Sequence, residues 1–133
     1  MITATKVTNH AQRMKVLPTF FGVDYMRFEG YLYDNMSIIC DKYNGGTWGM
    51  YLLSNGSMYM APNIEGMLEI VVPTNFYWGK MSAEAAGITS SLYAINRLCW
   101  DRPEETKYAD MFHALMDFAI QHPECDEIMG AID

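Results

Sequence analysis

Histidine is the side chain most often used as a general base or metal ligand, and this sequence contains three, His10, His113 and His122. A helical metal site needs two such ligands four residues apart, and no pair of these histidines has that spacing. A histidine base also needs an oriented nucleophile beside it, and no motif supplies one. His122 precedes Pro123 at a helix end, where it could interact with the last carbonyl groups of the helix. We therefore expect no catalytic residue, no metal and no cofactor.

Other signatures of enzymes are absent from the sequence. It contains no Gly-x-Ser-x-Gly elbow, no P-loop and no Rossmann glycine pattern. Lys80 follows a run of aromatic residues and could bind an anionic substrate, although a solvated loop lysine is the simpler interpretation. The cysteines Cys40, Cys99 and Cys125 are far apart and form no Cys-x-x-Cys motif, so we expect reduced thiols. A small nuclease or other enzyme that modifies nucleic acid stays open as an alternative.

Acidic residues are concentrated in the last quarter of the chain. Residues 1–100 contain seven acidic and seven basic side chains, whereas residues 101–133 contain nine acidic side chains against Arg102 and Lys107. The whole net charge of −7 therefore lies in this region. A field of this sign repels nucleic acid and favours a basic protein surface. A solvated helix face, with acids near helix N-termini, would give the same pattern and is the simpler interpretation.

Aromatic side chains, and part of the acidic region, are the residues that we expect at a partner-binding surface. Aromatic residues anchor protein contacts because they bury a large area and have few rotatable bonds. Three of them are consecutive between Pro73 and Lys80, in a segment that we predict to be a loop. The candidate partner-binding residues are Trp48, Tyr59, Phe76, Tyr77, Trp78, Asp110, Asp117, Glu124 and Asp133.

Residues 45–62 predict a β-hairpin. Two apolar runs flank Asn55-Gly56, a pair typical of a two-residue type I′ turn, in which both central residues have φ > 0. Such a turn would place Leu53 opposite Met58. Both faces of this hairpin are apolar, so each needs a cover from the rest of the chain or from a partner.

Helical patterns surround the hairpin. Apolar residues recur every three or four positions over residues 24–43, 82–100 and about 104–121, which predicts three helices. We also predict a short helix over residues 10–17 that ends at Pro18, and a last short helix after Pro123. Met67–Val72 alternates as a third strand and ends at Pro73. This order predicts an α+β fold, in which a three-stranded antiparallel meander packs against three to four helices in a single domain over residues 1–133.

The composition of the chain is that of a folded protein. Half of its 133 residues are hydrophobic and 19% are charged, so the chain contains enough apolar surface for a core, and disorder is not expected. No apolar run is long enough to span a bilayer, and the polar N-terminal segment lacks the apolar region of a signal peptide. We expect a soluble, cytoplasmic protein that needs no membrane.

Three separated blocks of the sequence resemble the KlcA/ArdB family of antirestriction proteins. The first block contains Gly45-Gly46-Thr47-Trp48, Leu53-Ser54-Asn55-Gly56, Tyr59-Met60-Ala61-Pro62 and Glu65-Gly66. The second is Met81-Ser82-Ala83-Glu84-Ala85-Ala86-Gly87-Ile88, and the third combines His122-Pro123-Glu124 with Ala131-Ile132-Asp133. The blocks occur in the order found in the family and extend over nearly the whole chain.

The resemblance implies a function that composition does not show. Members of this family are carried on plasmids and other mobile elements, and they protect incoming DNA from the host type I restriction endonuclease while usually sparing methylation. The resemblance therefore implies a non-enzymatic inhibitor. Its partner would be the host type I restriction-modification complex, reached directly or through an intermediary, and no direct contact with nucleic acid is expected.

Two routes of inhibition are open at this point. In the first, the acidic C-terminal helices act as a DNA mimic in a basic groove of the restriction complex, although a net charge of −7 is modest for that role. In the second, which we prefer, apolar and aromatic residues around the hairpin and at Phe76-Tyr77-Trp78 bind another surface of the complex or an intermediary. A dimerising module that uses an apolar sheet face is a further alternative.

Overall fold

A computed structural model describes residues 1–133 and contains five α-helices and five strands. In chain order the elements are β1 (Ala4–Lys6), α1 (His10–Phe21), a 3-10 turn (Gly22–Asp24), α2 (Tyr25–Ile39), β2 (Trp48–Leu53), β3 (Met58–Pro62), β4 (Met67–Val72), β5 (Tyr77–Ser82), α3 (Ala83–Asp101), α4 (Thr106–Gln121) and α5 (Cys125–Ile132). One cluster of buried apolar side chains connects all five helices with both sheets. The predicted α+β class is confirmed.

The strands form two antiparallel sheets. The three-stranded sheet has the order β1-β2-β3, and β4 pairs with β5 in a separate ribbon. The predicted three-stranded antiparallel sheet is therefore present, but its third strand is β1 instead of Met67–Val72. The aromatic segment that we predicted as a loop forms most of β5 and is the partner of β4. The meander prediction was wrong at this point because a helix, and not β4, covers the free edge of β3.

Helix α3 lies close against that edge and takes the place of a fourth strand. The backbone N–H of Met60 in β3 donates a hydrogen bond to Ser91 Oγ on α3, with an N···O distance of 3.1 Å. One turn earlier in the helix, a Cβ added to Gly87 would lie 2.3 Å from the Met60 carbonyl oxygen. The helix and the strand can approach this closely only because residue 87 has no side chain. Covering an edge in this way also protects it from pairing with other chains.

The β2–β3 hairpin is displaced by one residue from the predicted register. Met58 lies opposite Leu52, instead of the predicted Leu53, and Tyr51 lies opposite Tyr59. Because side chains alternate along a strand, this displacement changes which residues share a face. The rings of Tyr51 and Tyr59 stack with a centroid distance of 4.8 Å.

The turn of this hairpin contains three residues, 54–56, and is not of type I′. Gly56 N–H donates to the Leu53 carbonyl at 3.1 Å, and Gly56 has positive φ whereas Asn55 does not. This pattern is a type I turn followed by a glycine bulge. The side chain of Asn55 instead donates from Nδ2 to the Ala114 carbonyl on α4, at 2.8 Å. A tertiary contact, which is not visible in the local sequence, thus accompanies the longer turn.

Helix α1 continues through Pro18, where we predicted that it would end. Proline removes one hydrogen bond from a helix, which is a local penalty. Continuing the helix places Phe21 in the core, where its ring stacks on that of Phe28 with a centroid distance of 4.0 Å. Phe21 is only 1% exposed, so burial of this aromatic side chain offsets the lost hydrogen bond.

Candidate protein-interaction site

The outer face of the β4–β5 ribbon carries exposed apolar side chains. Val71 lies opposite Trp78, and these side chains are 45% and 67% exposed. Met67 on β4 is also exposed, as is Phe76 in the connecting turn. We call these four residues, Met67, Val71, Phe76 and Trp78, the ribbon surface. A cluster of this kind on an otherwise polar strand face is typical of protein-interaction sites.

Phe76 is presented to solvent by an unusual backbone conformation. It is 93% exposed, and its φ of 63° is the only positive φ among the non-glycine residues. A bulky aromatic residue in this left-handed region is strained by about 1 kcal/mol or more. The turn therefore holds an aromatic side chain in solvent at a conformational cost that burial of the ring does not offset.

The side chain of Asn75 connects the β4–β5 turn to the C-terminal end of α5. Its Nδ2 donates to the carbonyl oxygens of Gly130, Ala131 and Asp133, at 3.3, 3.1 and 2.7 Å. Its Oδ1 accepts from the backbone N–H of Tyr77 at 3.0 Å. One asparagine therefore satisfies carbonyl groups at the end of α5 and orders the residues on either side of Phe76.

Trp78 and Tyr77 are neighbours in β5, and their side chains lie on opposite faces of the ribbon. The indole Nε1–H of Trp78 donates to Glu69 Oε2 at 3.0 Å, which orients the ring across the exposed face of the ribbon. Tyr77 points to the other side, where its hydroxyl group donates to the Glu127 carboxylate on α5. Burial, followed by this hydrogen bond, raises the pKa of the Tyr77 hydroxyl above its usual range. Tyr77 therefore fastens the ribbon to α5, while Trp78 faces solvent.

Trp48 and Tyr59, the two other aromatic candidates, lie in the core. Trp48 is 3% exposed and packs between the rings of Tyr33 and Tyr43. Tyr59 is fully buried, and its hydroxyl group donates to Glu84 Oε1 at 2.9 Å. Burial in the first place, and then the bond to Glu84, raises the pKa of Tyr59 well above its usual range. In this conformation neither ring is accessible to a partner.

The four acidic candidates are not equivalent. Asp110 and Asp117 are exposed on α4, and Asp133 is exposed at the end of the described chain. Glu124 instead accepts hydrogen bonds from both the backbone N–H and the hydroxyl group of Ser82. Because Ser82 is also the N-cap of α3, Glu124 supports the start of that helix. Its carboxylate is therefore engaged within the fold.

Both ring nitrogens of His122 make contacts within the fold. Its Nε2 is 2.7 Å from Glu84 Oε2, and its Nδ1 accepts from the backbone N–H of Glu124 at 3.0 Å. The side chain is 6% exposed. Glu84 thus bridges the buried Tyr59 hydroxyl group and His122. The sequence interpretation of His122, as a cation against its own helix end, missed this bridge because its partner lies on a distant helix.

Neither metal ligation nor a disulfide is indicated by the side-chain geometry. No group of three or more histidine, cysteine, aspartate or glutamate side chains is arranged to hold a metal ion. Cys40 is buried, whereas Cys99 and Cys125 are partly exposed, and all three are free thiols. None of the five helices is both long enough and apolar enough to cross a bilayer.

Comparison with known proteins identifies the class of protein to which this fold belongs. The family model described as antirestriction protein matches residues 41–133. Two antirestriction proteins KlcA of Escherichia coli are 41% and 40% identical to this chain, with coverage of 99% of this chain and 94% and 95% of theirs. The chain belongs to the antirestriction protein family.

A solved structure of the same family has the same fold. It is 41% identical in sequence, has a TM-score of 0.90, and the match covers 99% of this chain and 95% of that chain. That work on the KlcA and ArdB proteins describes a novel fold and antirestriction activity against type I DNA restriction systems in vivo but not in vitro. The family resemblance inferred from the three sequence blocks is confirmed.

Proposed function

We propose that this protein protects DNA from type I restriction systems by binding another protein through the ribbon surface, without chemistry of its own. The observation that carries the proposal is the exposure of two neighbouring aromatic residues, Phe76 at a strained positive φ and Trp78 oriented by its hydrogen bond to Glu69. Family membership supports the biological role. The partner is the restriction complex or a cellular protein that controls it.

The behaviour of the related structure supports a route through such a cellular protein. Its antirestriction activity is described as present in vivo and absent in vitro. An inhibitor that only occupied the DNA groove of the endonuclease would also act on the purified enzyme. An additional component of the cell explains the difference, and an adaptable apolar surface is suited to binding it.

The arrangement of acids gives less support to DNA mimicry. Asp110 and Asp117 are seven residues apart on α4, which corresponds to about 10 Å along the helix axis. Duplex DNA carries one charge for about every 1.7 Å, or about six charges over that distance. Two exposed carboxylates, with Lys107 and His113 nearby on the same helix, do not approach this density.

Some of the remaining acids are occupied by contacts within the fold. Asp101 pairs with Arg27 and accepts a hydrogen bond from Tyr31, and Glu127 accepts one from Tyr77. Carboxylates engaged in this way are not available to replace phosphates in a protein groove. The acidic surplus therefore favours a basic partner in a general way.

The contacts of His122 within the fold are consistent with a non-enzymatic mode of action. Both ring nitrogens of His122 are engaged, and its position is set by Glu84 and by the backbone of residue 124. A general base needs a free nitrogen within hydrogen-bond reach of the group that it activates. His122 contributes to the fold by fixing the start of α5 relative to α3.

A paired substitution tests the proposed surface. In cells that contain a type I system, we expect Trp78→Ser to abolish protection of unmodified DNA, whereas Trp100→Ser preserves it. Trp100 is a matched control because it is 77% exposed but lies on α3, away from the ribbon. Affinity capture with the wild-type protein as bait should recover a partner that the Trp78→Ser bait loses. Full protection by Trp78→Ser, with wild-type expression, would contradict the proposal.

A further inference from the structure

A cavity of about 270 Å³ opens beside the ribbon, between the C-terminal half of α2, the middle of α3 and the turn that connects β4 to β5. Its apolar lining includes Ile39 and Leu92, which are buried, and Ile38 and Tyr93, which are 60% and 37% exposed. The cavity thus combines a buried apolar interior with an accessible apolar margin. Concave sites of this type gain free energy when an apolar group replaces water.

A buried amide group offers hydrogen bonds to whatever enters the cavity. Asn35 lines it and is only 9% exposed. Its Nδ2 donates to Ser90 Oγ at 3.0 Å, whereas its Oδ1 has no hydrogen-bond partner within the protein. No fully buried side-chain oxygen or nitrogen lacks a partner, so this Oδ1 is accessible to solvent, and Asn35 is part of the cavity lining. An occupant with an N–H donor would satisfy it.

The charges and the volume restrict the occupant further. Asp133 is the only charged residue in the lining, so an anion inside the cavity would be desolvated without a counter-ion. A positive charge at the margin, by contrast, would be attracted to Asp133 and to the acidic C-terminal quarter. The volume is below the range of about 300–1,000 Å³ that is usual for drug-sized ligands. It suits one bulky side chain.

We infer that this cavity receives one apolar or aromatic side chain of a partner protein, with a lysine or arginine next to it and a backbone N–H bonded to Asn35 Oδ1. The inference rests on the proposed function, because it names a second contact of the same partner. Thr74 and Asn75 line the cavity, and Phe76 follows directly in the chain. A single extended segment can therefore lie across Phe76 and insert a side chain into the cavity, as anchor residues do in other interfaces.

Capped dipeptides test the chemistry of this site directly. In two-dimensional NMR spectra of the isotope-labelled protein, N-acetyl-Trp-Lys-amide should cause saturable shifts at Asn35, Leu92 and Tyr93. N-acetyl-Trp-Glu-amide should bind about two- to fivefold more weakly, as expected when an exposed charge pair is lost. N-acetyl-Ala-Lys-amide should cause no shifts there. Absence of saturable shifts with the first probe would overturn the inference, as would equal affinity for free indole, which would indicate a site for small molecules.

Two matched isoleucines separate this inference from the proposed function. Ile38→Arg places a long cation at the cavity margin, whereas Ile120→Arg makes the same change at an equally exposed position on α4 that does not line the cavity. We expect Ile38→Arg to abolish binding of N-acetyl-Trp-Lys-amide and to weaken protection in cells, and Ile120→Arg to do neither. If Ile38→Arg protects DNA normally while Trp78→Ser loses protection, the proposed role of the cavity is refuted and the proposed role of the ribbon surface is retained. Protection by Trp78→Ser would refute the ribbon surface itself.

Discussion

Gly87 on α3 lies in direct contact with the carbonyl group of Met60 on β3, and a Cβ at residue 87 would approach the Met60 oxygen to 2.3 Å. The contact lies between the helix at the centre of the fold and the edge of the three-stranded sheet. Both partners in it are backbone, which cannot rotate away as a side chain could. The distance between α3 and the sheet is therefore set by the absence of a side chain at one position.

This contact predicts that Gly87→Ala destabilises the protein although alanine is the better helix former. We expect a loss of about 1–3 kcal/mol in the free energy of unfolding, because the added methyl group forces α3 away from β3. Gly30→Ala is the control, since Gly30 lies in α2 and a Cβ there meets no atom within 4 Å. That variant should gain about 0.5–1 kcal/mol. Urea unfolding of both variants measures the difference, and equal effects would contradict the explanation.

Because Phe76 is strained and exposed, we expect that its replacement can preserve or increase stability while it removes function. Asparagine tolerates positive φ better than phenylalanine does, so Phe76→Asn should be as stable as the wild type or up to about 1 kcal/mol more stable. The same variant lacks the exposed ring and should lose protection against type I restriction. Thermal unfolding and the restriction assay, carried out on one preparation, measure both effects. A variant that keeps full protection would show that the ring has no role in binding.

The acidic face of α4 predicts a small effect of charge reversal. Asp110→Lys combined with Asp117→Lys changes two exposed residues on α4 and should leave protection within about twofold of the wild type, because surface charge adds little to a contact made elsewhere. A DNA mimic would instead lose its activity, and its complex would be sensitive to salt. Glu124 should be left unchanged in this test, because its bonds to Ser82 support α3 and reversal there would confuse unfolding with lost binding.

A buried carboxylate predicts how stability depends on pH. Asp24 accepts hydrogen bonds from Arg102 at 3.0 Å and from Tyr108 at 2.7 Å, and these contacts hold the pKa of its carboxyl group below the usual value of 3.8. The unfolded chain therefore binds the proton more readily than the folded protein does, and stability rises with pH in this range. The contribution is complete above pH 3.8 and is lost as the pH falls through the lower pKa of the folded state.

Acid unfolding of Asp24→Asn measures this contribution. The variant should be less stable than the wild type near neutral pH, and its stability should fall less steeply below pH 3.8. Asp110→Asn provides the control, because Asp110 is exposed on α4. An unchanged pH profile in Asp24→Asn would show that other carboxyl groups control acid unfolding.

Local patterns in the sequence predicted most of the helices and the family. Apolar residues at spacings of three and four located α2, α3 and α4 to within a few residues, because helix periodicity depends on near neighbours along the chain. The predicted range 82–100 begins at Ser82, which is the N-cap of α3, and a cap acts on the backbone only two or three residues away. The resemblance of three blocks to known antirestriction proteins needed no structure.

The pairing of strands was decided by tertiary contacts. The sequence of β4 predicts a strand but does not name its partner, and the partner turned out to be the aromatic segment beyond Pro73. The edge of β3 was unavailable because Gly87 and Ser91 bring α3 against it. Pairing depends on which distant surfaces meet, and no local pattern records that information.

Tertiary contacts also decided which aromatic residues lie in the core and which lie on the surface. Trp48 and Phe76 are both large aromatic residues, and the sequence analysis treats them alike as candidates for binding. In the fold, Trp48 is enclosed by tyrosines from α2 and the following loop, whereas Phe76 is held in solvent by the bonds of Asn75 to the end of α5. The amino-acid sequence by itself determined that the protein has many aromatic side chains and an acidic C-terminal region. Only the tertiary structure decided which of these aromatic side chains are accessible, because accessibility is set by segments that lie far away in the chain.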